Sequence, residues 1–301
     1  MRLARCALLV FFGTLVATPA RSDDRLPVVA SFSILGDITQ RLGGQRIALT
    51  TLVGPDGDAH VFEPGPADAK AVAGARVLVL NGLGFEGWMD RLKQAAGFTG
   101  VEVVASTGIE PLSLVEPDAD HDRDHGGIDP HAWQNVANVE TYVHNITVAL
   151  ERADPAGAPV YRANAETYLD QLRALDAEIR AAMSAVPESQ RVLVTSHDAF
   201  GYFAAAYGVR FLAPQGVSTE SEASAADVAD LIHQIRSEGV RALFLENITN
   251  PRLLEQVGRE TGGVIGGALF SDALSAPGGP AATYLDMMRH NAQVIAAALQ
   301  A

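Results

Sequence analysis

The sequence predicts an α/β protein of two lobes, each a roughly four-stranded parallel sheet flanked by helices, joined by a long rigid interdomain helix. Two observations carry this. Short runs rich in Val, Ile and Leu alternate with helical stretches on both sides of the middle of the chain. Continuous apolar strands interleaved with helices are the pattern of parallel sheets covered on both faces. Between the two regions, residues 159–186 read as one helix. Tyr161, Ala165, Tyr168, Leu172, Leu175, Ile179, Ala182 and Val186 recur in steps of three and four, which places them on one face. Arg162, Glu166, Asp170, Arg173, Asp176 and Arg180 lie on the other, and Asp170/Arg173 and Asp176/Arg180 are spaced to pair. Pro159 suits a first helical turn and Pro187 stops the run.

Residues 23–152 are expected to form the N-terminal lobe, 153–187 the linker helix and 188–301 the C-terminal lobe. In the first lobe, strands are expected at 28–32, 47–53, 76–80 and 101–105, with helices at 34–42, 66–73, 85–96 and 134–152. Residues 111–127 interrupt the alternation with an acidic loop that holds His121 and His125 among aspartates. In the second lobe, strands are expected at 191–195, 209–213, 240–245 and 264–269. Helices are expected at 199–207, 225–237, 251–261 and 281–299.

Residues 1–22 read as a cleaved signal peptide. Arg2 and Arg5 precede an apolar core at 7–17, and Thr18, Ala20 and Ser22 offer small residues at cleavage positions. The core is too short to span a bilayer comfortably. The single cysteine, Cys6, lies ahead of that core, so the remaining chain is expected to have neither disulfides nor thiolate ligands. The 301 residues carry 22 Lys+Arg against 36 Asp+Glu, a formal net charge of −14. That balance argues against nucleic-acid and anionic-membrane binding and is compatible with attraction of cations.

Four residues share a topological address. His60 follows the second strand and His131 lies in Asp-Pro-His after the acidic loop. His197 follows the strand at 191–195, and Asp272 follows the last strand. In open parallel sheets, ligand sites gather outside the carboxyl ends of strands. Two of the four come from each half, so facing lobes would bring them together. Three imidazoles and a carboxylate suit a divalent first-row metal such as Zn²⁺. Each ligating histidine needs its outer ring nitrogen held, and Asp129 and Asp198 are the candidates nearest in sequence. Spacing alone leaves open whether these are ligands or scattered surface and core histidines, since no compact HExxH or CxxC box is present. His144, His233 and His290 read as structural or surface residues. Trp88, Trp133 and Phe200 read as core or cleft-wall residues, and Glu63, Glu220, Glu222 and Glu246 as cleft-lining groups. Ser196-His197-Asp198 cannot form a catalytic triad, because neighbouring residues do not reach that geometry.

Six stretches carry a resemblance. They are ASFSILGD at 30–37, VGPDGDAHVFEP at 53–64, NGLGFEGW at 81–88, DPHAW at 129–133, SHDAFGY at 196–202 and SDALS at 271–275. Together and in this order they resemble the periplasmic solute-binding proteins of zinc/manganese ABC transporters. The resemblance implies His60, His131, His197 and Asp272 as metal ligands, no catalysis, and a monomer that captures metal in the periplasm. It also implies delivery to an ABC permease with a separate ATPase, with a periplasmic metal donor as a further possible partner. Some relatives carry glutamate at the third ligand position and prefer manganese; His197 favours Zn²⁺ as the transported ion over Mn²⁺. A secreted zinc hydrolase is the more distant alternative.

Overall fold

A computed structural model of the chain describes residues 25–113 and 127–300. The expected signal segment and His121 and His125 lie outside the described residues. The first half runs β1 (Leu26–Phe32), α1 (Ser33–Gly43), β2 (Ile47–Val53), α2 (Pro66–Gly74), β3 (Val77–Leu80), α3 (Met89–Ala96), β4 (Val101–Val104) and α4 (Val136–Ala153). After α5 (Ala158–Ser184), the second half runs β5 (Val192–Val194), α6 (Gly201–Tyr207), β6 (Arg210–Leu212), α7 (Ala225–Glu238), β7 (Ala242–Glu246), α8 (Arg252–Thr261), β8 (Val264–Leu269) and α9 (Tyr284–Leu299).

The strands pair in two four-stranded parallel sheets, ordered β2-β1-β3-β4 and β6-β5-β7-β8. The order is the same in both halves, with each second strand on the outer side of the first. Val28, Val29 and Ala30 on β1 and the whole of β3 are buried, as a strand covered on both faces requires.

The long helix is present. Its 27 residues span roughly 40 Å at 1.5 Å per residue. It buries Tyr161, Ala165, Tyr168, Leu172, Leu175, Ile179 and Met183 against α1, α4 and α9. Met183 takes the place expected for Ala182, continuing the four-residue step from Ile179. Both expected ion pairs form, with Arg173 Nη1 3.4 Å from Asp170 Oδ1 and Arg180 Nε 2.7 Å from Asp176 Oδ2. Asn164 Nδ2 donates to the carbonyl of Leu42, and Tyr207 Oη donates to Asp176 Oδ1. One helix is thus fastened to both halves.

One helix is shorter than expected. Residues 85–88 do not join α3, which starts at Met89. The segment 81–88 folds instead around the Glu86 carboxylate, which accepts from Ser31 Oγ and from the backbone N–H groups of Asn81 and Gly82. The turn needs positive φ at Gly82, Leu83 and Gly84, which breaks a helix. α9 likewise starts at Tyr284 rather than 281, where Thr283 caps it by accepting from the Asp286 N–H.

Candidate metal centre

The four expected residues meet between the two sheets. His60 arrives on the loop that leaves β2, and His131 immediately before a single 3₁₀ turn (Ala132–Gln134) preceding α4. His197 lies three residues past β5, and Asp272 three past β8. The two segments that bring in His131 and Asp272 are tied directly. Trp133 Nε1 and Gln134 Nε2 both donate to the Ser271 carbonyl, at 2.9 and 2.8 Å. Asn81 Nδ2 donates to the Pro130 carbonyl and fixes the turn from the first sheet. Phe85 and Trp133 pack edge to face behind the imidazoles with Phe32 tilted against both, and the Phe85 ring lies 4.7 Å from that of His60. This apolar floor keeps water off one side of the cluster.

The spacing of the donor atoms matches one small cation. His60 Nε2 lies 3.4 Å from His131 Nε2 and 3.3 Å from Asp272 Oδ2. His197 Nε2 lies 3.2 Å from Asp272 Oδ2, and His131 Nε2 3.4 Å from Asp272 Oδ1. Four ligands at about 2.0–2.1 Å from a tetrahedral ion stand roughly 3.3–3.4 Å apart. A donor atom from each residue falls within 4.8 Å of those of the other three. His131, His197 and Asp272 are fully buried, and His60 retains 6% exposure.

Carboxylates orient two of the rings from outside. Asp129 Oδ1 lies 2.8 Å from His131 Nδ1 and also accepts from the His131 backbone N–H. Glu246 Oε2 lies 2.7 Å from His197 Nδ1, while its Oε1 accepts from the backbone N–H groups of Ser196 and His197. Holding Nδ1 this way leaves the Nε2 lone pair facing the centre. Asp129 is one of the two acceptors expected from the sequence. The other, Asp198, does not serve: the carboxylate beside His197 Nδ1 is Glu246, which ends β7 at the carboxyl edge of the second sheet. Glu246 is remote from His197 in sequence, and its strand-end address was the one signal available for it. Glu63, Glu220 and Glu222 are exposed and stay outside the cluster. His144 and His233 are exposed, and His290 Nε2 contacts the Ala268 carbonyl. Trp88, Trp133 and Phe200 are buried.

The charges are strongly coupled. Burial pulls the His131 imidazolium down, but the Asp272 and Asp129 carboxylates outweigh it and push the ring up to about 9. Burial opposes charge on His197 too, yet Glu246 and Asp272 raise it well above the ordinary range. Asp272 is penalised by burial and still held well below the usual carboxylate range by His131 and His197. A cation entering here replaces protons, so binding releases them.

Two parallel sheets, a helix fastened to both, and a buried nest of three imidazoles and a carboxylate between them define a two-lobed metal-binding protein. The family model for the periplasmic component A of zinc-uptake complexes, ZnuA, matches residues 28–298. The chain belongs to this family, the periplasmic solute-binding proteins of metal ABC transporters. It is 36% identical over 280 residues to the manganese-binding lipoprotein MntA of Halalkalibacterium halodurans, covering 93% of this chain and 90% of that protein. It is 31% identical over 304 residues to the iron-binding protein YfeA of Yersinia pestis, covering 98% and 96%. The periplasmic zinc binding protein TroA from Treponema pallidum superposes with a TM-score of 0.83 at 31% identity, over 91% of this chain and 99% of that one. Members of the family are substrate-binding transport proteins and not enzymes, which sets aside the hydrolase reading. Their work is extracytoplasmic and implies a membrane permease and an ATPase.

Proposed function

We propose that the protein captures Zn²⁺ in the periplasm, holds it with His60, His131, His197 and Asp272, and releases it to its permease for import. The observation that carries this reading is the donor set: three imidazoles and one carboxylate, with the His60 and His131 Nε2 atoms 3.4 Å apart and each Nε2 3.2–3.4 Å from an Asp272 oxygen. Imidazole-rich sites favour Zn²⁺ over Mn²⁺ both by ligand softness and by the general order of divalent affinities. A shell closed by four protein ligands suits retention, because no position remains for a reacting water.

Mn²⁺ is the second reading, and one feature favours it. Both Asp272 oxygens face the histidines, Oδ1 toward His131 and Oδ2 toward His60 and His197. A two-oxygen grip would add a fifth ligand, which suits a harder ion. A competition titration decides between them. The metal-free protein, offered both ions at equal free concentration, is expected to retain Zn²⁺. Equal or tighter retention of Mn²⁺ would overturn the assignment.

Export belongs to the same proposal. Residues 1–22 act as a cleaved signal peptide, and N-terminal sequencing of the protein recovered from the periplasm is expected to begin at or near Asp23. A chain that retains residues 1–22 would contradict it.

A further inference from the structure

The loop at 54–64 that carries His60 is held across the cleft by a side chain with two tasks. Asp58 Oδ1 accepts from the His60 backbone N–H at 2.9 Å. Its other oxygen, Oδ2, accepts from the hydroxyl of Thr219 at 2.6 Å. Thr219 belongs to the second half, on the loop at 213–224 between β6 and α7. Among the described residues, this is the only hydrogen bond from that loop to the first half. The same loop is fastened at its other end to the His197 segment. Gln215 forms a parallel bridge with His197, and the Asp198 N–H donates to the carbonyls of Gln215 and Gly216. One loop therefore grips two ligand-bearing segments from opposite lobes.

His60 is the ligand through which this matters. It is the only one of the four with residual exposure. Among the described residues it is also the only one of the three imidazoles whose Nδ1 has no carboxylate beside it. Its position rests on its backbone. Trp88 Nε1 donates to the Ala59 carbonyl at 2.8 Å from within the first lobe. Asp56 crosses to the Asp272 side, donating its N–H to the Leu274 carbonyl and accepting from Asn247 Nδ2. Asp58 supplies the remaining crossing, toward the His197 side.

We propose that Asp58 and Thr219 form an interlobe clasp that positions His60 and sets how long the site retains its ion. Resting on the reading of the four residues as ligands, the clasp adds a part for two residues that do not touch the ion. A hydrogen bond to a carboxylate is worth more than a neutral one. Its loss lets the 213–224 loop part from the His60 loop and gives the least buried of the four residues freedom to leave first. Asp58 and Thr219 are thus positioning residues for release.

The test uses the full chain loaded with Zn²⁺ and mixed rapidly with excess EDTA. Thr219→Val keeps the side chain's shape and removes the donor; Thr219→Ser keeps the donor. The valine variant is expected to release zinc about tenfold faster, the factor that loss of one charge-assisted hydrogen bond implies. The serine variant is expected at the wild-type rate, and circular dichroism of metal-free protein is expected to show all three equally folded before mixing. A valine variant that releases zinc at the wild-type rate, or a serine variant as fast as valine, overturns the clasp. Wild-type protein that retains no zinc before EDTA is added overturns the ligand assignment itself, and the clasp with it.

Discussion

At the scale of single residues, the site depends on orientation as much as on the ligands. Glu246 spends one oxygen on the backbone of Ser196 and His197 and the other on the His197 ring. Glu246→Gln keeps the volume but removes the charge and turns one of the two oxygens into a donating NH2, and is expected to weaken zinc binding by roughly 10–100-fold. His197→Ala, which removes a ligand, is expected to cost more; isothermal titration of the two variants checks the order. Binding is also expected to weaken as the pH falls, because protons compete for His131 and His197. The metal-free protein has its own dependence. His131 is raised from an ordinary 6.5 to about 9 on folding, so its contribution to stability is complete below 6.5 and is lost as the pH rises through about 9. Thermal melts of metal-free protein are therefore expected to lose stability across that window from this group, and zinc-loaded protein is expected to be free of that loss. The four candidate ligands were legible in sequence because His60, His197 and Asp272 follow strand ends and because the resembling stretches hold all four. Glu246 as the partner of His197 was not, since nothing local in sequence connects them.

At the scale of elements, α5 shows what periodicity can and cannot reveal. Its apolar face predicted nearly every buried position, because a helix of this length repeats the signal over several turns. Leu172 lies wholly inside that face, where α5 meets its neighbours. Leu172→Ala is expected to cost about 2–5 kcal/mol in urea unfolding, with one zinc still bound per folded chain. A cost within about 0.5 kcal/mol, as at an ordinary surface position, would contradict the packing described. The segment 81–88 shows the opposite case. Its pattern resembles a helix start, but the half-buried Glu86 carboxylate collects the backbone donors of Asn81 and Gly82, and the turn it closes holds Leu83 at positive φ. That preference comes from tertiary contact with Ser31 on the neighbouring strand, which no window of sequence contains. Strand ends moved by a residue or two for a related reason: the neighbour, not the strand itself, decides where a ladder stops.

At the scale of the whole molecule, two sheets of identical strand order are joined along the chain by one helix, and the four candidate ligands come in equal number from the two halves. Binding an ion at their junction links the lobes, so ligand and fold stabilise one another. Free zinc at about 100 times its dissociation constant is expected to add about 2.7 kcal/mol to the unfolding free energy. Calorimetry should show that gain in the wild type and not in a His131→Ala/His197→Ala double variant. The repeated topology was legible in the alternation of apolar runs with helices; the meeting of the lobes was not, because it rests on contacts such as Trp133 to Ser271 and Tyr284 to Trp133. The central claim is that three imidazoles and one carboxylate from both lobes surround a single ion. Zinc K-edge X-ray absorption of the dialysed, zinc-loaded full chain tests it most directly. The expected spectrum shows four nitrogen and oxygen neighbours at about 2.0–2.2 Å, with the outer-shell scattering of three imidazoles; a shell of oxygens with one imidazole or none would contradict it.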